Sequence, residues 1–315
     1  QGVRLAPRAE HRELEEIGKR FEGRGPALVT EGSVYGPRHF LRELDAEHDK
    51  DLRRSQVTLA DGSLPDDLAF VDTDAIATES LAPYRLLVFR RSPVASRPPG
   101  EFRLAGAGKF YEVWERSVAL PGRSLAEHLP LGRPPSNSAV PDCAELKALA
   151  DRAGAGATLM AAVPGDYVLV DLAAASRPES WGSSQAGTFT PRSSGTLQVD
   201  AEVLTPGEYR LWVGGNVLGE LTVAVGGQQA ASERQAINSN LYQPFGPFTL
   251  TAGTQTITMD YEGRSLHPGS GEEATPLGPI VLERVQADDR GTVAVPASDY
   301  QRLCDQPWDW IEAYS

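Results

Sequence analysis

The sequence predicts an α+β protein, in which an N-terminal α/β domain is followed by an antiparallel β-sandwich of the jelly-roll type. Three observations support this prediction. In the 315-residue chain, apolar residues recur at helical spacing mainly in the first part, they alternate with polar residues in the second part, and two cysteines bracket that second part. We therefore expect an α/β domain over residues 1–120, a proline-rich linker or strap over 121–142, and a β-sandwich over 143–315.

The first domain is predicted from the order of its helix and strand patterns. A helix is expected from Ala9 to Phe21, where apolar residues fall at helical spacing among charges, and a short strand from Ala27 to Thr30. Pro37 marks the start of a second helix. The apolar run Tyr84–Phe89 predicts a buried central strand, and Glu101–Trp114 predicts two strands joined around glycines.

The second part begins with a short helix at Ala144–Ala153 and continues as a series of strands. In Thr196–Val203 and Gln255–Tyr261, apolar residues alternate with polar ones, which is the period of a sheet with one solvated face. No spacer between the strands is long enough for a helical crossover, so an antiparallel sandwich is favoured. The predicted strands are Tyr167–Leu172, Ala186–Thr190, Gly195–Val203, Gly207–Val213, Leu218–Val225, Ala236–Tyr242, Pro247–Thr251, Thr254–Tyr261 and Gly278–Val285.

Cys143 and Cys304 are the only cysteines of the chain. A disulfide between them would tie the start of the β part to the C-terminal tail, and it would indicate an oxidising compartment. The alternative is a pair of free thiols that fall near the ends of one domain.

The charge of the chain argues against two classes of partner. The formal net charge is −13, and most of the acid excess lies in the β part. Such a surface repels nucleic acid and anionic lipid, and the basic residues form no stripe with interleaved aromatics. The most apolar stretch, Ala157–Ala175, contains two aspartates and cannot span a bilayer. Because the chain begins at Gln1 without a signal sequence, we expect it to be a fragment of a longer protein.

Patterns for metal binding and catalysis are weak. The five histidines include no pair at zinc-ligand spacing, and neither a nucleophile elbow nor a phosphate loop occurs. Carboxylates for a glycosidase are available at Asp171, Asp200, Asp260 and Glu262, although solvated strand faces explain them as well. No cofactor is expected apart from a structural calcium ion as an alternative, for which the sequence identifies no ligands.

Four stretches of the first part carry a family resemblance. Gly25–Glu31, Tyr35–Arg42, Tyr84–Pro99 and Lys109–Arg116 resemble the C-terminal soluble region of actinobacterial multi-spanning membrane proteins similar to GT-C type glycosyltransferases. The resemblance implies an extracytoplasmic region, anchored to the plasma membrane through transmembrane helices absent from this chain, with that membrane-embedded portion as a partner. It implies no catalysis here, because the catalytic acid of such enzymes lies in a loop between transmembrane helices.

The β part carries a second resemblance. Gly207–Gly215 and Leu221–Gly227 are similar to the hairpin of carbohydrate-binding jelly rolls, as found at the C-termini of mycobacterial arabinosyltransferases. This implies a cell-envelope glycan as ligand, with a purely structural role as the alternative.

Aromatic and amide side chains in the β part are candidates for a sugar site, because sugar rings stack on aromatic faces and their hydroxyls need polar partners. Trp181 lies in a loop-like segment where an indole has no obvious core to fill, and Tyr242 lies close to Asn238 and Asn240. Asp171 is a further candidate partner for a sugar hydroxyl. The alternatives are that Trp181 caps the edge of the sandwich and that Tyr242 ends a strand inside the core.

A group of basic residues in the first part suggests a phosphate or acceptor contact, since guanidinium groups hold phosphate through paired hydrogen bonds. The alternative is a solvated strand end, or an ion-pair partner for the acidic β part. The candidate residues are Arg38, His39, Arg90, Arg91 and Arg97.

Three functions remain open at this point. The first is a non-catalytic extracytoplasmic region of a membrane-bound cell-envelope glycosyltransferase that binds glycan or positions an acceptor. The second is a structural or protein-interaction domain that docks on the membrane portion or on an envelope partner. The third is a secreted glycosidase.

Overall fold

The computed structural model describes residues 8–30, 35–48, 57–65, 71–132, 135–182, 187–217, 219–231, 242–263, 274–285 and 291–315. The regular structure of these residues is mainly β-sheet, with seventeen strands in four sheets and few helices. They divide into two compact units. Residues 11–165 and 291–315 form one, named here the split unit, and residues 166–285 with 8–10 form the other, named the jelly-roll unit.

The N-terminal part of the split unit contains three helices and a mixed sheet. The elements are α1 (Arg8–Arg20), β1 (Ala27–Val29), α2 (Tyr35–Phe40), β2 (Ala46–His48), α3 (Thr78–Leu81), β3 (Leu86–Arg90), β4 (Phe102–Ala107) and β5 (Tyr111–Arg116). The strand order is β2-β1-β3-β5-β4, parallel among the first three strands and antiparallel for β5 and β4. All residues of β3 are buried, as the apolar run predicts.

The segment predicted as a linker or strap contains a strand. The chain continues through β6 (Leu125–Pro130), α4 (Cys143–Ala153) and β7 (Thr158–Ala162). Because β6 pairs with a strand at the C-terminus of the chain, residues 121–142 are not simply a connection between two domains. The proline-rich sequence of this segment did not indicate a strand, because the strand is stabilised only by pairing with residues that are distant in sequence.

The jelly-roll unit consists of two antiparallel four-stranded sheets. Its strands are β8 (Tyr167–Leu169), β9 (Gly195–Val203), β10 (Gly207–Gly215), β11 (Glu220–Val225), β12 (Gln228–Ala231), β13 (Tyr242–Leu250), β14 (Gly253–Glu262) and β15 (Leu277–Arg284). One sheet has the order β13-β10-β15-β8 and the other β12-β11-β14-β9. Eight strands in this order, with the chain crossing between the sheets at most connections, form the predicted jelly roll.

The core of the jelly roll follows the predicted alternation. In β9 the side chains of Leu197, Val199 and Val203 are buried, while Asp200 and Glu202 on the other face are exposed. The inward-facing residues of both sheets form one apolar cluster. Of the predicted strand Ala236–Tyr242, residues 236–241 lie outside the described part of the chain.

The C-terminal segment returns to the split unit. It forms β16 (Thr292–Pro296), a 3-10 helix (Ala297–Leu303) and β17 (Trp310–Tyr314). These strands complete an antiparallel sheet of order β16-β7-β17-β6. The compact units divide the chain differently from the predicted domains, since residues 143–165 and 291–315 group with the described residues of 11–142.

Candidate functional site

An open cleft of about 540 Å³ lies in the split unit, within the size range of small-ligand sites. One wall is the C-terminal end of α4 and the other is the start of the 3-10 helix Ala297–Leu303. Its polar lining side chains are Arg123, Asp151, Thr158, Ser298 and Tyr300, and small residues at 154–157 form part of its surface.

The first wall is built by a capped helix and a glycine turn. Asp142 caps α4, since its Oδ1 accepts a hydrogen bond from the Ala144 N–H at 2.8 Å. The helix ends at Gly154, with φ of 89°, and Gly156 follows with φ of 98°. A side chain at either position would meet no neighbour, so backbone conformation rather than space favours glycine there. The turn leads directly into β7 and leaves the cleft unobstructed.

The two walls are held together at several points. The Ala297 N–H donates to the Ala157 carbonyl at 2.9 Å, at the junction of the two walls. Farther along, the predicted disulfide is present: Cys143 in α4 is bonded to Cys304 after the 3-10 helix, with 5.2 Å between the Cα atoms. Leu146, Leu149 and Leu303 belong to one buried cluster between these elements. The shape of the cleft is therefore fixed by covalent, polar and apolar contacts.

The side chains of the cleft combine an aromatic ring with polar groups. Tyr300 is half-buried, and Ser298 is exposed. Asp151 accepts a hydrogen bond from Lys147 at 2.6 Å, while the Nη1 of Arg123 donates to the Gly156 carbonyl at 2.6 Å. An aromatic surface with hydroxyl, carboxylate and guanidinium groups around it is the set of partners that a sugar ring requires.

Trp181, the main sugar-stacking candidate of the sequence, is buried in the jelly-roll core. Its side chain is 2% exposed and its ring stacks on Phe189, with 5.6 Å between the ring centroids. Tyr261 packs against it edge-on, and the indole N–H donates to the Ser193 carbonyl at 2.9 Å. With a side chain that is almost completely buried, Trp181 belongs to the apolar core of the jelly-roll unit.

The other residues predicted to contact sugar are buried, accept a hydrogen bond from the main chain, or lie outside the described residues. Tyr242 is only 9% exposed, and burial, with a smaller contribution from Tyr167, raises the pKa of its hydroxyl to about 12. Asp171 is exposed, but its Oδ1 caps the 3-10 helix Leu172–Ala174 by accepting from the Ala173 N–H at 2.9 Å. Asn238 and Asn240 are not among the described residues.

Three of the predicted phosphate contacts make internal contacts instead. Arg90 is 2% exposed, with its guanidinium 5.0 Å from the centre of the Phe110 ring. Arg91 donates to the Gly108 carbonyl at 2.7 Å and pairs with Glu112 at 3.2 Å. Arg97 donates to the Gly291 carbonyl at 2.6 Å. These contacts lie within the split unit, and they explain the arginines as structural residues.

The remaining two candidates of that group lie on α2. Arg38 and His39 are both exposed there, and the ring of His39 packs edge-on against Phe40 with 4.8 Å between the ring centroids. Their role as phosphate contacts stays a prediction.

A second cluster of ionisable side chains is buried in the split unit. The Nδ1 of His128 lies 2.9 Å from the Oε1 of Glu312, and its Nε2 lies 3.2 Å from the Oδ1 of Asp74. The Tyr314 hydroxyl donates to Glu312 at 2.6 Å, and the Gly100 N–H donates to the same carboxylate at 3.0 Å. The main chain at Gly100 packs closely against this cluster, since a Cβ there would lie 2.1 Å from a Met160 side-chain atom and 2.8 Å from Oε2 of Glu312.

The described part of the chain contains neither a metal-binding cluster nor a membrane-spanning helix. No group of three or more His, Cys, Asp or Glu side chains there is arranged to hold a metal ion, and the calcium ion considered as an alternative stays without identified ligands. None of the described helices combines the length and apolarity needed to cross a bilayer. The disulfide fits an extracytoplasmic location.

The residues of the cleft were missed because they are far apart in the sequence. Arg123 lies in the segment interpreted as a linker, and Tyr300 lies in the tail that was assigned to the sandwich. The one local signal was the Gly154-Ala-Gly156 turn after a predicted helix, which indicates a change of chain direction.

No protein-family model and no curated protein matches the chain. Among solved structures, it is similar to family 35 carbohydrate-binding modules at low identity. The module from Clostridium thermocellum is 11% identical, with 38% of this chain and 97% of that chain covered and a TM-score of 0.27. The module from Paenibacillus barcinonensis is 11% identical, with coverages of 41% and 98% and a TM-score of 0.24.

An exo-β-1,3-galactanase from Phanerochaete chrysosporium, solved with β-1,3-galactotriose, is also similar. It is 14% identical, with 38% of this chain and 29% of that chain covered and a TM-score of 0.24. The matched part therefore spans less than a third of this enzyme. At such TM-scores the similarities support no functional assignment, and the strand order itself defines the jelly roll.

Proposed function

We propose that this protein binds a cell-envelope glycan through the cleft between α4 and the 3-10 helix Ala297–Leu303. The observation that carries the proposal is the half-buried ring of Tyr300 on the wall of an open 540 Å³ cleft. The C–H face of a sugar ring packs on such an aromatic surface, while Ser298 and Asp151 can bond its hydroxyls. A cleft of this size accommodates a ligand of one to a few sugar rings.

The wider context of the proposal comes from the resemblance of residues 8–116. We propose that the protein is a non-catalytic, extracytoplasmic region of a membrane-bound cell-envelope glycosyltransferase. Its cleft would engage the glycan acceptor while the membrane-embedded portion of the full-length chain performs the transfer. Fractionation of cells that produce the full-length protein tests the anchoring, because an anchored protein resists extraction from membranes by high salt.

Calorimetric titration of the purified protein with arabinan and galactan oligosaccharides tests the binding. We expect saturable binding that weakens about tenfold or more in Tyr300→Ala, because the stacking surface is removed. Tyr300→Phe should keep most of the affinity, since the ring remains. Tyr167→Ala, which removes a half-buried ring of the jelly-roll unit, is the matched control and should bind as the wild type does.

Two outcomes would contradict the proposal. The first is an absence of binding up to millimolar oligosaccharide, which would favour a structural or protein-interaction domain. The second is binding that Tyr300→Ala leaves unchanged while the variant stays folded, which would place the sugar elsewhere.

A further inference from the structure

Arg123 is held against the wall of the cleft by its main chain and by one nitrogen of its side chain. The Arg123 N–H donates to the Leu120 carbonyl at 3.2 Å, and the next residue, Ser124, exchanges two backbone hydrogen bonds with Ser315. The Nη1 donates to the Gly156 carbonyl at 2.6 Å and lies 3.4 Å from the Tyr314 carbonyl. The guanidinium group is therefore fixed in position before any ligand binds.

The opposite edge of this guanidinium group, formed by Nε and Nη2, is open. Within the described part of the chain, neither atom makes a hydrogen bond or an ion pair. This edge carries two parallel N–H groups, the arrangement that binds a carboxylate or a phosphate through two hydrogen bonds.

A second arginine of the same unit shows this edge in use. The Nε of Arg152 donates to Glu127 at 3.0 Å, and its Nη2 donates to the other oxygen of that carboxylate at 2.5 Å. Arg123 offers the same pair of donors, but it lines the cleft and no carboxylate of the described chain occupies them.

The acidic side chain that lines the cleft does not cancel the charge of Arg123. Asp151 is paired with Lys147, with 2.6 Å between Oδ2 and Nζ. The remaining polar groups of the lining, on Thr158, Ser298 and Tyr300, are uncharged hydroxyls. Arg123 is thus the one lining side chain whose full charge lacks an ion-pair partner within the described residues.

We propose that the cleft selects glycans that carry an anionic group, a carboxylate or a phosphate ester, and that Arg123 binds this group through Nε and Nη2. The proposal rests on the proposed function, because it names the ligand class of the same cleft. Tyr300 provides the surface for the sugar ring, and Arg123 determines which rings are preferred.

The test compares three methyl galactosides that differ only at C6: methyl galactoside, methyl galacturonoside and methyl galactoside 6-phosphate. Each is titrated into the whole protein. We expect at least one anionic ligand to bind ten times or more as tightly as the neutral one, and the comparison of the two anionic ligands distinguishes carboxylate from phosphate. Their binding should weaken as sodium chloride is raised, whereas neutral binding should not.

Two variants and one matched control test whether the preference for anionic ligands depends on Arg123. Arg123→Gln should bring the affinity of the anionic ligands down to that of the neutral one. Arg123→Lys should restore only part of the difference, because it keeps the charge but lacks the two parallel donors. Arg152→Gln removes another exposed arginine, whose donors are already used by Glu127, and it should leave the preference unchanged.

Several results would overturn the inference. If all three ligands bind with equal affinity, or if folded Arg123→Gln keeps the preference for anionic ligands, Arg123 does not select the ligand. The glycan-binding proposal would not be affected by either result. If Arg123→Gln fails to fold, an absence of salt dependence in the wild type would overturn the inference in the same way. If none of the three galactosides and none of the arabinan and galactan oligosaccharides binds, the proposed function itself is wrong.

Discussion

His128 and Glu312 form a buried ion pair, with 2.9 Å between Nδ1 and Oε1. Asp74 lies on the other side of the imidazole, 3.2 Å from Nε2. Burial opposes the charged imidazolium, but the hydrogen bonds and negative charges of the two carboxylates outweigh it and raise the pKa of His128 to about 10. Because His128 of β6 lies directly opposite Glu312 of β17, this ion pair joins two neighbouring strands of one sheet.

Replacement of His128 should therefore be costly. His128→Asn leaves the Glu312 carboxylate buried without its cation, and we expect the free energy of unfolding of the split unit to fall by about 3–5 kcal/mol. Urea denaturation monitored by circular dichroism measures the change. His39→Asn, at an exposed histidine, is the control and should change stability by less than about 0.5 kcal/mol. A similar small loss for His128→Asn would show that the ion pair contributes little.

The same ion pair predicts a pH dependence. The folded protein binds the His128 proton more tightly than the unfolded chain does, since the pKa is about 10 when folded and 6.5 in the reference state. The stabilisation is complete below about pH 6.5 and is lost as pH rises to about 10, at a slope of up to about 1.4 kcal/mol per pH unit. Unfolding measured between pH 6 and 10 should show this fall in the wild type and a flatter profile in His128→Asn. If the free energy of unfolding falls equally with pH in the wild type and in His128→Asn, the pH dependence does not come from His128.

The disulfide should stabilise the split unit and the walls of the cleft. It joins residues 161 positions apart, and the chain-entropy model gives a contribution of about 5 kcal/mol for such a loop. We expect Cys143→Ser/Cys304→Ser to lower the unfolding temperature of the split unit. Hydrogen exchange should become faster at 154–157 and 297–300, on the two walls. Since the chain has no other cysteine, dithiothreitol treatment of the wild type should reproduce both effects. If hydrogen exchange at these residues is unchanged, the apolar contacts between the two walls are enough to stabilise them without the disulfide.

Trp181 should affect the stability of the jelly roll and not the binding of sugar. Removal of the ring in Trp181→Ala leaves a cavity beside Phe189 and Tyr261, and we expect a loss of about 3–5 kcal/mol in the free energy of unfolding. Trp181→Phe should lose less. Calorimetric titration of Trp181→Ala, at a temperature below its unfolding transition, should give the same affinity for the oligosaccharides as the wild type has. A folded Trp181 variant that no longer binds them would place the sugar site in the jelly roll.

The jelly roll was predictable from sequence largely because two of its strands are long and alternate between buried and more exposed residues. Gly195–Val203 and Gly253–Glu262 place one face in the core and one face in solvent, so local periodicity reveals them. The sheet of β16, β7, β17 and β6 lacks this property. Its strand Trp310–Tyr314 is buried throughout, and its pairing with Leu125–Pro130 joins distant parts of the sequence. No local pattern signals such a pairing, which is why the compact units could not be derived from the sequence.

The sugar-site prediction depended on where aromatic residues occur in loop-like sequence. Trp181 lies in such a segment, but its ring is buried against Phe189 and its indole N–H donates to the Ser193 carbonyl. Tyr300 lies in a polar segment and gave no signal, because the other residues that line the cleft, among them Gly154 and Gly156, are distant from it in sequence. Exposure of a ring depends on neighbours that are distant in sequence, whereas amphipathic periodicity does not.

The bond between Cys143 and Cys304 closes a covalent ring that encloses the whole of residues 166–285. A protease that cuts the chain once anywhere inside this ring therefore releases nothing. The cut protein keeps its two halves tethered, with the strands β6, β7, β16 and β17 still in one molecule, and it migrates as a single species on a non-reducing gel. Only reduction separates the fragments, so damage to the jelly roll need not dissociate the unit that holds the cleft.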